Sequence, residues 1–230
     1  HGNQWYDESI YLMKSKIMAE EGISQGLLSY GWHRGFVMEI FWSLFFKIGI
    51  GEIATRITEL ILSVLAVFLT YLIGKELCNK KVALIASSFM AVFWLSLFYT
   101  ARVMLTNPTL FLWTLVCYLF WIGYVKKKIG WVMILVGALL VIGVFTSLLF
   151  APLVILLGLF LVISDKFAFL KNKWFYGAIG VAILLTTPYL VWSSSHLESP
   201  FAYWGATLSV GATYDKVFSA NSGITGYINF

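Results

Sequence analysis

Residues 53–74 read IATRITELILSVLAVFLTYLIG, and beyond Glu59 this stretch carries no charge. At about 1.5 Å per helical residue it extends about 33 Å, enough to cross a hydrocarbon core of about 30 Å. Five further apolar stretches follow: 82–100, 108–125, 130–148, 150–164 and 174–192. Ala151-Pro152 separates the fourth from the fifth, and 130–164 can also be read as one long kinked element. The 150–164 stretch reaches only about 22 Å. The whole chain of 230 residues is 60% hydrophobic and 12% charged, which rejects a soluble globular domain. The composition predicts an all-α membrane protein, a polytopic helical bundle of about six spans.

Orientation follows from the lysines. Lys75, Lys80 and Lys81 flank one loop, Lys126, Lys127 and Lys128 the next, and Lys166, Lys171 and Lys173 the third. These nine of the 16 basic residues all fall in alternate loops. The positive-inside rule puts those loops in the cytoplasm. The segment before Ile53, the 101–107 loop and the tail from Ser193 then face outward. This distribution also accounts for the net charge of +5 without a nucleic-acid partner. The expected organisation is an outer region over 1–50, a membrane region over 51–192 and an outer loop or tail over 193–230.

Residues 36–50 are apolar but short, and a span there would invert the lysine loops. They read instead as a helix lying at the outer interface, a setting that suits Trp42, Glu39 and Lys47. Asp7 to Glu21 reads as another helix, stopped by Gly22. Tyr6, Ile10, Met13 and Ile17 recur at helical spacing and predict its apolar face. Seven of the chain's 11 acidic residues precede Leu60, so the outer N-terminal region carries the acidic chemistry. The chain opens on His1-Gly2-Asn3-Gln4 without an initiator Met or a signal-peptide pattern, and is expected to be a trimmed region.

Four groups of residues are candidates for chemistry. Asp7-Glu8 can take a proton from an acceptor or hold a metal, or Asp7 can simply cap its helix. His33-Arg34 precedes the interfacial helix and can hold a phosphate, or Arg34 can snorkel among lipid headgroups. Arg102, the single charge of its outer loop, can grip phosphate bidentately, while Asn107-Pro108 reads as a helix start. Glu52, Arg56 and Glu59 form a row on one helix face. A carboxylate as deep as Glu59 is costly and is functional or paired, and Arg56 at i, i+3 spacing offers a pair. Three scattered histidines and two cysteines make no metal site, and no phosphate-binding glycine loop or nucleophile elbow is present.

The order of these features resembles the integral-membrane glycosyltransferases of the GT-C fold. It is most similar to the dolichyl-phosphate-mannose protein mannosyltransferases and the lipid A aminoarabinose transferases. The family's first outer loop carries Asp-Glu, then Tyr and an amphipathic helix; here Trp5-Tyr-Asp-Glu-Ser-Ile-Tyr-Leu-Met13. A basic residue before an interfacial helix ending near Phe-Gly follows, here His33-Arg34-Gly35 and Phe46-Lys-Ile-Gly49. An Arg enters the next span, here Arg56, and an outer pair precedes an apolar span, here Asn107-Pro108. Asn107 stands where the family has an acidic residue, and Gly35 where it has a Pro-rich turn.

The resemblance implies an inverting transferase that moves a sugar from a polyprenyl-phosphate donor to a lipid, glycan or protein acceptor. Asp7 would be the general base, with Glu8 beside it. Arg34, Arg102 and His33 would bind the donor phosphate, and Tyr11, Arg56, Glu59 and Asn107 would support them. A divalent metal is compatible with the acidic pair, and no metal ligand set is assigned. The implied setting is a multi-pass protein of the plasma membrane with its active site on the outer face. A transporter or lipid flippase would instead place charges and broken helices near the bilayer midplane; Glu59 and Pro152 lean that way, whereas most spans are charge-free and the polar residues collect outside rather than midway. A non-catalytic assembly subunit would need none of the outer acid–base order.

Overall fold

The computed structural model describes residues 6–29, 35–100, 102–127, 129–197 and 201. Among them there is no strand. Ten α-helices follow one another: α1 Tyr6–Glu20, α2 Ile23–Leu28, α3 Val37–Lys47, α4 Gly51–Leu77, α5 Lys80–Val92, α6 Trp94–Thr100, α7 Thr106–Phe120, α8 Val132–Thr146, α9 Ala151–Asp165 and α10 Lys173–His196. A π-helical turn, Trp121–Val125, extends α7. Three helical stretches are long and apolar enough to cross a membrane: Gly51–Leu77, Thr106–Val125 and Lys173–His196. α8 and α9 are shorter apolar helices. The chain is an all-α membrane protein.

Local chemistry explains most boundaries. Asn79 has extended backbone, and its side chain accepts from Val82 N at 3.0 Å, so α5 begins on a true N-cap. Pro152 sits in the first turn of α9, where its missing N–H costs nothing. Ser147 accepts from Leu149 N, and a 3-10 turn over Leu148–Phe150 makes 130–164 two helices rather than one kinked element. The stretch 82–100 is likewise two helices, broken where Phe93 turns extended at ψ 115°. No Gly or Pro marks that break.

Helix α1 differs most from its expected face. Ile10 of that face is buried as expected, but Met13 is 46% exposed and Ile17 half-buried, whereas Glu8, Tyr11, Leu12, Lys14, Ser15 and Met18 are buried. Apolar spacing missed this stripe because its charged members are buried in ion pairs, which apolar periodicity does not register. Asp7 lies within the first turn of α1 rather than ahead of it.

The molecule divides into two units, His1–Thr186 and Thr187–Phe230. In the first, α7, α8 and α9 share a core built on Leu112, Val116, Phe120, Met133, Val136, Phe150 and Leu153. A smaller core of Tyr11, Leu12, Met38, Trp42, Val103 and Leu105 joins α1 and α3 to the loop before α7. Trp42 is fully buried there; burying a large apolar side chain contributes about 1.5–3 kcal/mol. Small residues permit close passage elsewhere. A Cβ on Gly137 would lie 2.8 Å from Ala178 Cα, and one on Gly74 2.8 Å from Ala83 Cα, the close backbone approach that small residues give membrane helices. In the second unit the described part is the end of α10, where the Trp192 and His196 rings stack at 5.1 Å.

Two polar contacts fix the directions of α4 and α7. Near the starts of both helices, Glu59 lies beside the Asn107 side chain. At their ends, Lys126 forms an ion pair with Glu76. The two helices therefore run parallel. Lys75, Lys80 and Lys81, around the α4–α5 turn, and Lys126 and Lys127 beyond α7 lie at one end of the pair, and Glu8 and Arg56 lie at the other.

Candidate functional site

The site starts from Arg56, one and a half turns into α4. Its guanidinium reaches Glu52 Oε1 at 2.9 Å, one turn back on the same helix. It also reaches Glu8 Oε1 of α1 at 2.7 Å. Glu8 is only 2% exposed and accepts a further hydrogen bond from Val103 N at 3.3 Å. One carboxylate thus ties three segments together: the first turn of α1, the start of α4 and the loop before α7. A buried carboxylate is stable only when paired and hydrogen-bonded, and Glu8 is both.

The neighbours of these anchors are the expected reactive residues. Asp7 adjoins Glu8 in sequence and is half-buried. Arg102 adjoins Val103, is partly exposed, and lays its guanidinium over the Phe98 ring at 4.6 Å. That cation–π contact and the bond from Arg102 N to Tyr99 O at 3.0 Å shape the loop. Tyr11 is buried with its ring 6.4 Å from Trp42, so it packs in the small core. His33 and Arg34 lie outside the described residues.

A second polar layer lies deeper along α4. Arg56 turns to Glu52 and Glu8, so Glu59 does not gain the i, i+3 partner that its spacing offered. Glu59 is fully buried, with the Asn107 side chain beside its carboxyl group. Asn107 is not the cap of α7, which begins at Thr106 after Leu105. Its Nδ2 donates instead to Tyr99 O at 3.0 Å, closing the α6–α7 loop, and its Oδ1 is buried without a partner. One turn further along α4, Ser63 Oγ meets Thr100 Oγ1 at 2.9 Å.

Sequence reasoning missed a second buried pair. Lys14 Nζ lies 3.5 Å from Glu39 Oε1, with both side chains at most 1% exposed, and donates to Gly35 O at 3.2 Å. The signal was present: a lone acid in the apolar helix α3 needs a cation on the element that covers it. The pair locks α1 onto α3. Gly35 then passes so close to the end of α8 that a Cβ would overlap the Thr146 carbonyl, while Phe36 N donates to Phe145 O at 2.8 Å. Among the described residues, no three His, Cys, Asp or Glu side chains gather as a metal set.

The class these features define is an all-α membrane protein whose acidic first helix is clamped by an ion pair to the start of a long apolar helix. Residues 33–192 match the family model described as dolichyl-phosphate-mannose-protein mannosyltransferase, and the chain belongs to this family of glycosyltransferases. No curated protein and no solved structure matches the chain. Arg56, Glu59, Arg102 and Asn107 lie inside the matched residues, and His33 and Arg34 at their start. Asp7, Glu8 and Tyr11 precede them.

Proposed function

We propose that the chain transfers a sugar from a polyprenyl-phosphate donor to a lipid, glycan or protein acceptor at the non-cytoplasmic face of the plasma membrane. The observation that carries this reading is the burial of Glu8 between Arg56 and Val103 N. It holds the half-buried Asp7 and the loop of Arg102 to the same end of α4. A carboxylate and a guanidinium anchored in this way supply the two groups that the reaction needs.

In the proposed step, Asp7 removes the proton of the acceptor hydroxyl or amine. The freed electron pair attacks the anomeric carbon from the side opposite the phosphate. The bond from that carbon to the phosphate oxygen breaks, and the configuration inverts. Negative charge grows on the leaving polyprenyl phosphate, where Arg102 or Arg34 stabilises it electrostatically. The apolar helices accommodate the prenyl chain, which is why such an enzyme is built in a membrane. About six crossings, 51–192, flanked by outer segments 1–50 and 193–230, fit the alternation of the lysine loops.

The test is transfer from a labelled polyprenyl-phosphate sugar by the purified chain in lipid. Loss of a general base costs about two to four orders of magnitude in rate, so Asp7→Asn is expected to lose at least a hundredfold while inserting normally. Transfer at the wild-type rate would remove Asp7 from the mechanism.

A further inference from the structure

Lys166 ends α9 at φ +43°, and Phe167 follows at φ +71°. One left-handed residue is an ordinary helix stop, most often a glycine. Two in succession, neither of them glycine and one of them Phe, are strained. The turn is held in this form from its buried side. Phe169 is buried and its ring packs on that of Phe175 at 4.9 Å, and the Tyr176 hydroxyl donates to the Leu170 carbonyl at 2.8 Å. A 3-10 turn over Ala168–Lys171 leads on to α10. On the other side Phe167 is 58% and Leu170 45% exposed, and Lys166, Lys171 and Lys173 are exposed in the same turn. With Asp165 counted, residues 165–173 carry a net charge of +2. Lys126 is ion-paired with Glu76. Among the described residues, none of the three lysines of this turn is ion-paired, and Lys173 lies over the Trp174 ring at 5.1 Å. Trp174 abuts Gly130, where an added Cβ would lie 2.4 Å from the indole nitrogen, so the turn lies beside the segment that follows Lys126 and Lys127.

We propose that the α9–α10 turn is a binding site for one anionic phospholipid, with Lys166, Lys171 and Lys173 meeting its phosphate and Phe167 and Leu170 entering its acyl region. The turn lies where α10 begins, at the end of a helix long and apolar enough to cross a membrane, which is the level of lipid headgroups. Two features select the ligand. The unpaired lysines call for an anion, and phosphate accepts strong charge-assisted bonds from ammonium groups. The exposed Phe and Leu call for hydrocarbon, which a soluble phosphate or an acidic peptide would not supply. An anionic lipid brings both in one molecule, and each lysine near such a surface strengthens the attraction. Backbone strain collects at ligand clamps, and here it holds Phe167 exposed next to Lys166. The site does not depend on Asp7 or on the transfer reaction.

The experiment uses the full chain in nanodiscs of phosphatidylcholine with a rising fraction of phosphatidylglycerol. Native mass spectrometry is expected to show one phosphatidylglycerol retained in preference to phosphatidylcholine. The thermal midpoint is expected to rise with the anionic fraction and level off, as linkage requires of a ligand bound to the folded state. Lys166→Gln, Lys171→Gln and Lys173→Gln combined are expected to weaken retention on the order of a hundredfold. Lys75→Gln, Lys80→Gln and Lys81→Gln combined remove the same charge at the α4–α5 turn and are expected to leave retention intact. Phe167→Gly relieves the left-handed strain, so its midpoint in pure phosphatidylcholine is expected to hold or rise while its retention of the anionic lipid falls. Absence of preferential, saturable retention by the wild-type chain overturns the proposal. Equal loss in the two triple variants overturns it too, since the attraction would then belong to lysine-rich loops in general. A midpoint raised as far by inorganic phosphate in pure phosphatidylcholine would overturn the lipid assignment. The wild-type measurement and the α4–α5 control decide the matter even if the α9–α10 triple variant fails to fold.

Discussion

Glu8 and Glu52 both meet Arg56, yet they meet it in different surroundings. Glu52 is about half exposed and reaches Arg56 along one helix face; exposed i, i+4 pairs are worth about 0.3–0.5 kcal/mol. Glu8 is buried and also accepts from a backbone amide 95 residues away. Glu8→Gln keeps the shape and removes the charge, and leaving such a group imperfectly paired costs about 1–3 kcal/mol. Thermal unfolding in detergent is expected to show Glu8→Gln clearly destabilised and Glu52→Gln near wild type. Equal effects would mean that Glu8 does not anchor α1. At this scale the sequence offered the right residues and the wrong partners. Spacing along one helix suggested Arg56 with Glu59 and a capping Asn107. Arg56 instead takes Glu8 of α1 besides Glu52 on its own helix, and Asn107 donates to the Tyr99 carbonyl at the end of α6. Contacts of that kind leave no mark in local spacing.

The elements were more legible than their faces. The extent of α1 and its stop at Gly22, with φ +102°, follow from helical spacing and a breaker. The α3 helix follows from its short apolar run. The buried stripe of α1 did not follow, because Lys14 and Glu8 look like solvent-facing charges until their partners Glu39 and Arg56 are known. The packing of α3 against α8 turns on Gly35, a position that sequence comparison marked only as departing from a Pro-rich turn. A Cβ there would overlap the Thr146 carbonyl, and forced overpacking costs about 1–3 kcal/mol. Gly158 of α9 is the natural control, since an added Cβ meets nothing within 4 Å. Alanine in a helix interior is favoured over glycine by about 1 kcal/mol. Unfolding midpoints should therefore fall for Gly35→Ala and hold or rise for Gly158→Ala. A harmless Gly35→Ala would show that the α3–α8 junction tolerates separation.

For the whole molecule the decisive quantity is sidedness, and it rests on charge at both ends of α4. Lysines collect around its C-terminal end, where Glu76 of α4 and Lys126 beyond α7 pair. Glu8, Arg56 and the loop of Arg102 collect at its N-terminal end. The lysine loops alone predicted this separation, because insertion responds to the number of Lys and Arg residues in short loops; tertiary contacts are not needed to read it. Active-site chemistry at the outer face requires the α1 end to be the outer one. Cys78 and Cys117 are free thiols and would be replaced by serine first. Met13, exposed on α1, and Lys127, exposed beyond α7, then serve as opposite reporters. In intact cells a membrane-impermeant maleimide is expected to label Met13→Cys and to leave Lys127→Cys unmodified until the membrane is permeabilised. The reverse pattern would put Asp7 and Arg102 in the cytoplasm and end the outer-face reading, while leaving the parallel arrangement of α4 and α7 intact. Labelling of both positions in intact cells would place them on one side of the membrane, which the opposite ends of a single crossing helix cannot satisfy. Gly51–Leu77 would then not cross the membrane.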